Sequence, residues 1–170
     1  PPGTQSALVE ITTGPSADIA LDHIVLAPNT FQNGFPIAGY ISGNWFNVDQ
    51  AGSGFQIEAT NTIDAASGLP IMLAIWFTYT PDGGRNWIYA QGTYDPTIAT
   101  TTLPAFLSAG GSFPPNIRSS DVTADPWGTL TLTFTDCNNG VANWNSIVPG
   151  YGSGSLPIVR LTSIDGAVCP

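Results

Sequence analysis

The chain is 170 residues long, with 3 basic residues against 12 acidic ones, a formal net charge of −9, charged residues at only 9%, and no lysine. Counterion release on a polyanion needs clustered Lys or Arg, whereas Arg85, Arg118 and Arg160 lie far apart, so nucleic acid is excluded as a partner and a polybasic membrane anchor with it. A hydrophobic fraction of 42% is too high for a disordered chain, and 17.7 kDa suits one domain with a substantial core.

Glycine (19) and proline (15) are scattered throughout, so turns are frequent. The longest apolar run, residues 71–77, is strand-sized and far short of the roughly 20 residues that span a bilayer. Membrane insertion is not expected. No basic stretch precedes an apolar one at the start, so any signal peptide is expected to be gone already.

Residues 1–38 read as an extended arm. Val9 and Ile11 flank Glu10, and Ile19, Leu21, Ile24 and Leu26 punctuate the following stretch, with breaks at Pro15, Pro28 and Pro36. These strand-like pieces need backbone partners. They find them on their own domain or at an edge of a neighbouring molecule.

From residue 39 onward, period-two alternation recurs between turn residues. Phe55, Ile57 and Ala59 alternate with Gln56, Glu58 and Thr60. In residues 71–79, Leu73, Ile75, Phe77 and Tyr79 form one face and Met72, Ala74 and Trp76 the other. Both faces are apolar, which predicts a strand covered on two sides, by the core and by something else. Pro81-Asp82-Gly83-Gly84 then signals a hairpin into a strand over 86–94.

Residues 100–111 read as strand or loop because of Pro104. Leu130, Leu132 and Phe134 alternate with Thr129, Thr131, Thr133 and Thr135, a half-buried strand with a threonine outer face. Asn138-Asn139-Gly140 is expected to turn into a strand over 141–147, and Leu156, Ile158 and Arg160 alternate with Val159 and Leu161. No stretch has sustained helical spacing.

About eight strands at hairpin spacing predict an all-β, antiparallel up-and-down barrel of the avidin or lipocalin kind over 39–170, with the extended arm over 1–38. A two-layer β-sandwich is the alternative architecture.

A series of motifs carries a resemblance. It runs Ser42-Gly43-Asn44-Trp45-Phe46-Asn47, Gly52-Ser53-Gly54-Phe55-Gln56-Ile57-Glu58, and Trp76-Phe77-Thr78-Tyr79 with Pro81-Asp82-Gly83. It continues through Trp127-Gly128-Thr129-Leu130-Thr131, Asp136-Cys137-Asn138, and Gly152-Ser153-Gly154-Ser155 before Arg160-Leu161-Thr162. This order, over about three quarters of the chain, resembles an uncharacterised module of secreted bacterial proteins. The opening Gly-Asn-Trp-Phe-Asn and Gly-Phe also look like the first hairpin of avidin-like barrels. Avidin's ligand residues do not map onto this sequence, so biotin binding is not implied.

The resemblance implies a secreted, extracellular or cell-surface location. Together with the composition it implies that Cys137 and Cys169 form one disulfide; in a cytosolic protein they would be free thiols.

Catalytic signatures are sparse. Without lysine there is no P-loop, Schiff base or lysine nucleophile. His23 is the only histidine and has no Gly-x-Ser-x-Gly partner. An Asp/Glu-dependent hydrolase is the third-ranked reading; with ten aspartates and two glutamates nothing singles out a pair, and Glu58 and Asp136 are the positions whose substitution would test it. Asp136-x-Asn138-x-Gly140 is similar to the start of a calcium loop, but Ile147 stands where the bidentate glutamate belongs, and an Asx turn accounts for it. No catalytic residue, metal or cofactor is assigned.

The favoured reading is a non-enzymatic structural or adhesive subunit of an extracellular fibre or surface assembly. Its partner is itself, through an arm that uses Val9, Ile11, Ile19, Leu21, Ile24 and Leu26 to build a homo-oligomer or filament. The alternative is a barrel that binds a glycan or small ligand through Trp45, Trp76, Trp87, Trp144 and Tyr151.

Overall fold

The computed structural model describes residues 35–170. Eight antiparallel strands follow in chain order: β1 (Gly43–Phe46), β2 (Gly54–Ile63), β3 (Pro70–Tyr79), β4 (Arg85–Thr93), β5 (Thr100–Gly110), β6 (Val122–Phe134), β7 (Asn139–Ser146) and β8 (Ser153–Arg160). Each pairs with the next, and β8 returns to β1, so one sheet closes into a barrel rather than a sandwich. Closure rests on Trp45 opposite Arg160 and Phe46 opposite Val159, extended by the Leu161 N–H donating to the Asn44 carbonyl at 2.7 Å. The cylinder is thus complete using residues 43–161 alone.

The lumen is a packed core. Alternation sends Phe55, Ile57, Met72, Ile88, Leu103, Leu130, Leu132, Phe134 and Ile158 inward, each at most 1% exposed. Ala74, Ala90 and Ala105 lie side by side across β3, β4 and β5. Mixing small and large inward residues is how a small barrel fills its interior. Outside, the threonine face forms the expected ladder, with Thr100 paired to Thr133 and Thr102 to Thr131 through their hydroxyls at 3.0 and 2.8 Å.

Three features differ from the alternation pattern. β6 begins at Val122, well upstream of the alternating run that starts at Thr129. The Pro126-Trp127-Gly128 segment is accommodated there by a bulge: Ala105 faces Gly128 but Phe106 faces Pro126, leaving Trp127 as the extra residue. Proline is tolerated at a bulge because no ladder N–H is required. Second, Asn139 and Gly140 belong to β7. The turn lies ahead of them, because the Asp136 carboxylate accepts the backbone N–H groups of Asn138 and Asn139 at 2.7 and 3.0 Å and holds an Asx turn. Third, β5 spans its whole segment despite Pro104, and only Ile88, Tyr89 and Ala90 of β4 pair across to it.

One end of the barrel, the lower end, is closed by the chain leading into β1. A short 3-10 turn (Gly39–Ile41) crosses it, and Ile37 and Ile41 are fully buried. The Ile37 N–H donates to the Ile98 carbonyl at 3.1 Å. Residues 35–38, assigned to the arm by sequence, therefore pack on the barrel. Arg160 also faces this end, with its guanidinium 5.1 Å from the Trp45 ring centroid and an N–H donating to the Tyr40 carbonyl. Cys137 and Cys169 are joined, with Cα atoms 6.2 Å apart, which ties the C-terminal tail to the β6–β7 turn. Among the described residues, no helix is long and apolar enough to cross a membrane.

Candidate functional site

The opposite, upper end carries the β1–β2, β3–β4 and β7–β8 loops and is open. There Trp76, Trp127 and Trp144 converge. Trp76 lies 5.1 Å from Trp144 and 6.2 Å from Trp127 by ring centroids, and Tyr151 meets Trp127 edge-to-face at 5.5 Å. Phe55 stacks beneath Trp76 at 5.0 Å. Trp76, Trp127, Trp144 and Tyr151, together with Gln50, Thr78 and Ile88, line a cavity of about 290 Å³ with no charged side chain among the described residues of its walls.

Local sequence fixes each ring. Trp76 alternates inward on β3, and its indole N–H donates to the Ser53 hydroxyl at 3.1 Å. Trp144 points inward from β7 directly opposite Gly154 of β8, and only a glycine leaves room for it. Trp127 is turned in by the bulge, and its carbonyl accepts from the Ser146 hydroxyl at 2.9 Å and the Ile147 N–H at 2.8 Å. Gly128 makes this possible: its φ is +147°, and a Cβ there would lie 2.0 Å from the Asn145 carbonyl oxygen. Tyr151 sits between Gly150 and Gly152, both at positive φ, and its hydroxyl accepts from the Asn86 amide at 2.8 Å.

Trp127 is fully buried, and its indole N–H has no acceptor among the described residues. A buried donor without a partner costs roughly 1–3 kcal/mol.

Of the five ligand residues read from sequence, Trp76, Trp144 and Tyr151 share this mouth. Trp45 does not: it is 1% exposed, packs on Phe134 at 5.1 Å and donates to the Ile41 carbonyl at 2.9 Å, so it is a core residue near the closed end. Trp87 faces outward and is 49% exposed. Its neighbours Ile88 and Ala90 point inward, and that alternation was the signal for its direction. Trp127 was missed as a site residue. Its signal was the flanking Pro126 and Gly128, which mark a bulge.

A second feature lies on the outside wall. Leu73, Ile75 and Phe77 of β3, Trp87 and Tyr89 of β4 and Phe106 of β5 make a contiguous apolar face. Phe77 and Trp87 sit opposite each other and are 48% and 49% exposed. Beside Phe77, a cleft of about 360 Å³ opens against Phe46, Gly54 and Leu161. The strand apolar on both faces therefore has its core side covered and its outer side partly exposed among the described residues, Leu73 and Ile75 less than Phe77.

The carboxylates do not converge. Glu58 is exposed on the outer wall, where it accepts from Gln56 at 3.2 Å. Asp136 is engaged in its turn at the closed end, and its carboxyl is held below the usual carboxylate range, first by the Asn138 N–H. Among the described residues no group of three or more His, Cys, Asp or Glu gathers as a metal site. His23 and the six arm residues Val9, Ile11, Ile19, Leu21, Ile24 and Leu26 lie outside the described residues. The chain matches no protein-family model, no curated protein and no solved structure.

Proposed function

We propose that this protein is a non-enzymatic, secreted structural subunit that assembles with copies of itself, the N-terminal arm reaching from one subunit to the next. The observation that carries the reading is the apolar outer face of β3 and β4, where Phe77 and Trp87 are each about half exposed on a barrel whose core is otherwise well covered. Contiguous exposed apolar surface of this kind marks a contact with another macromolecule. Two further features support it. The strand ladder of the barrel closes within residues 43–160, so it does not call on residues 1–34. The outer face also runs into the cleft beside Phe77, which suits an apolar side chain of an extended segment.

A head-to-tail contact between an arm and a neighbour's wall builds a ring where the rotation between subunits closes and a filament where it does not. It relies on apolar burial and backbone hydrogen bonds rather than on charge, in keeping with a chain at net charge −9 with 3 basic residues.

The test compares the full chain with a chain lacking residues 1–34 and with a Phe77→Ser/Trp87→Ser double variant, by sedimentation and electron microscopy. The full chain should form oligomers or filaments, and both variants should remain folded monomers. A full chain that stays monomeric at high concentration, or variants that assemble equally well, would end this reading.

A further inference from the structure

The mouth lies at the end of the barrel, whereas the proposed assembly uses Phe77 and Trp87 on the outer wall, and neither of these lines the mouth cavity. We infer that it is a binding site for one ring of a neutral sugar, with the indole N–H of Trp127 as the donor that the ligand satisfies.

The cavity chemistry sets the ligand class. Among the described residues no charged side chain lines it, so an ionised ligand would enter without a counter-charge from them and lose its hydration. Its volume of about 290 Å³ is at the small end of the range for ligand pockets, which admits one ring rather than an extended molecule. The walls are indole faces and edges from Trp76 and Trp144, inclined at 56° to one another. A pyranose offers them C–H groups on one face and hydroxyl oxygens around its rim. Those oxygens match the polar groups at the mouth, Gln50 and Thr78. The rest of a glycan would continue outward, since the cavity opens to solvent between the loops.

Trp127 adds the specific element. Trp45 and Trp76 each donate their indole N–H to a protein oxygen, at 2.9 and 3.1 Å, while the Trp127 N–H has no acceptor among the described residues. The group is shielded from solvent in this arrangement, and Tyr151 packs edge-to-face on the same ring. The Tyr151 segment is bounded by Gly150 and Gly152, with φ of +92° and +60°. A sugar oxygen reaches this shielded donor only when a side chain packed around Trp127 shifts, and in this proposal it is Tyr151, which packs on that ring and is held by Asn86, that moves.

The test uses the intact protein and a panel of methyl glycosides of glucose, galactose, mannose and N-acetylglucosamine. At least one should shift the intrinsic tryptophan fluorescence saturably. In a ¹H–¹⁵N spectrum of the unaltered protein, the Trp127 indole N–H resonance should move with the same saturation and that of Trp87 should not. Trp144→Ala should weaken binding about tenfold or more, and Trp127→Phe should do so while leaving the fold intact by circular dichroism. Absence of binding by every glycoside at millimolar concentration would overturn the proposal. So would binding that leaves the Trp127 resonance in place, since that locates the sugar elsewhere.

Discussion

Gly154 of β8 faces Trp144 of β7, and a methyl group at position 154 would lie 2.3 Å from the indole Cζ2 and 2.6 Å from Cη2. The indole occupies the space that any other residue's Cβ would need. Gly154→Ala is therefore expected to displace the ring or strain the strand pair, at a cost of about 1–3 kcal/mol. Urea denaturation gives the stability change, and the near-ultraviolet circular dichroism of the tryptophans reports the displaced ring. An unchanged midpoint and spectrum would show that the ring has somewhere else to go.

Leu132 and Thr131 are neighbours in β6 with opposite fates. Leu132 is fully buried in the lumen, while Thr131 faces outward and pairs with Thr102 at 2.8 Å. Leu132→Ala should cost about 2–5 kcal/mol through lost burial and the cavity left behind. Thr131→Ala should cost no more than about 1 kcal/mol, the worth of one partly exposed hydrogen bond. Equal losses in chemical denaturation would contradict the assignment of faces.

The bond between Cys137 and Cys169 closes a loop with a sequence separation of 32 residues. In the chain-entropy treatment it stabilises the fold by about 3–4 kcal/mol. Paired Cys→Ser substitution should lower the denaturant midpoint accordingly while leaving the strand content unchanged in the far-ultraviolet spectrum, because all eight strands lie outside the tail that the bond secures.

Acid should weaken the fold through its turns. The carboxyls of Asp64, Asp82 and Asp95 are held below the usual carboxylate range, chiefly by the hydroxyls of Ser67, Thr80 and Thr97, and that of Asp136 chiefly by the Asn138 N–H. A folded-state pKa below the unfolded value of about 3.9 gives stability that is complete above that value and is lost as pH falls through the folded values. Thermal melts should therefore hold steady near neutrality and fall below about pH 4. Asp136→Asn should lower the melting temperature at pH 7 and flatten the acid-side fall. A melting temperature that does not drop between pH 4 and pH 2 would refute this account.

Much of the barrel is visible in the alternation of single residues. Leu130, Leu132 and Phe134 against Thr129, Thr131 and Thr133 give both the strand and its buried face, since a strand packed on one side must alternate. The two-faced apolar strand is visible as well, in Leu73, Ile75 and Phe77 beside Met72 and Ala74, although among the described residues only its core side is fully covered. The mouth was only partly legible. Trp76, Trp144 and Tyr151 were picked out as aromatic, but so were Trp45 and Trp87, because an indole looks the same in a core, on a wall or at a rim. Trp127 escaped because a bulge breaks the alternation that would have assigned its side.

The sequence by itself determined local matters: where strands run, where the chain turns and which charges are missing. These follow from side-chain period, turn chemistry and charge counts, which act between near neighbours. Only the tertiary structure decided that β8 meets β1 and that three tryptophans far apart in the chain share one end while Trp45 belongs to the core near the other. Closure and shared height depend on the register and tilt of all eight strands together, and no short segment contains that information.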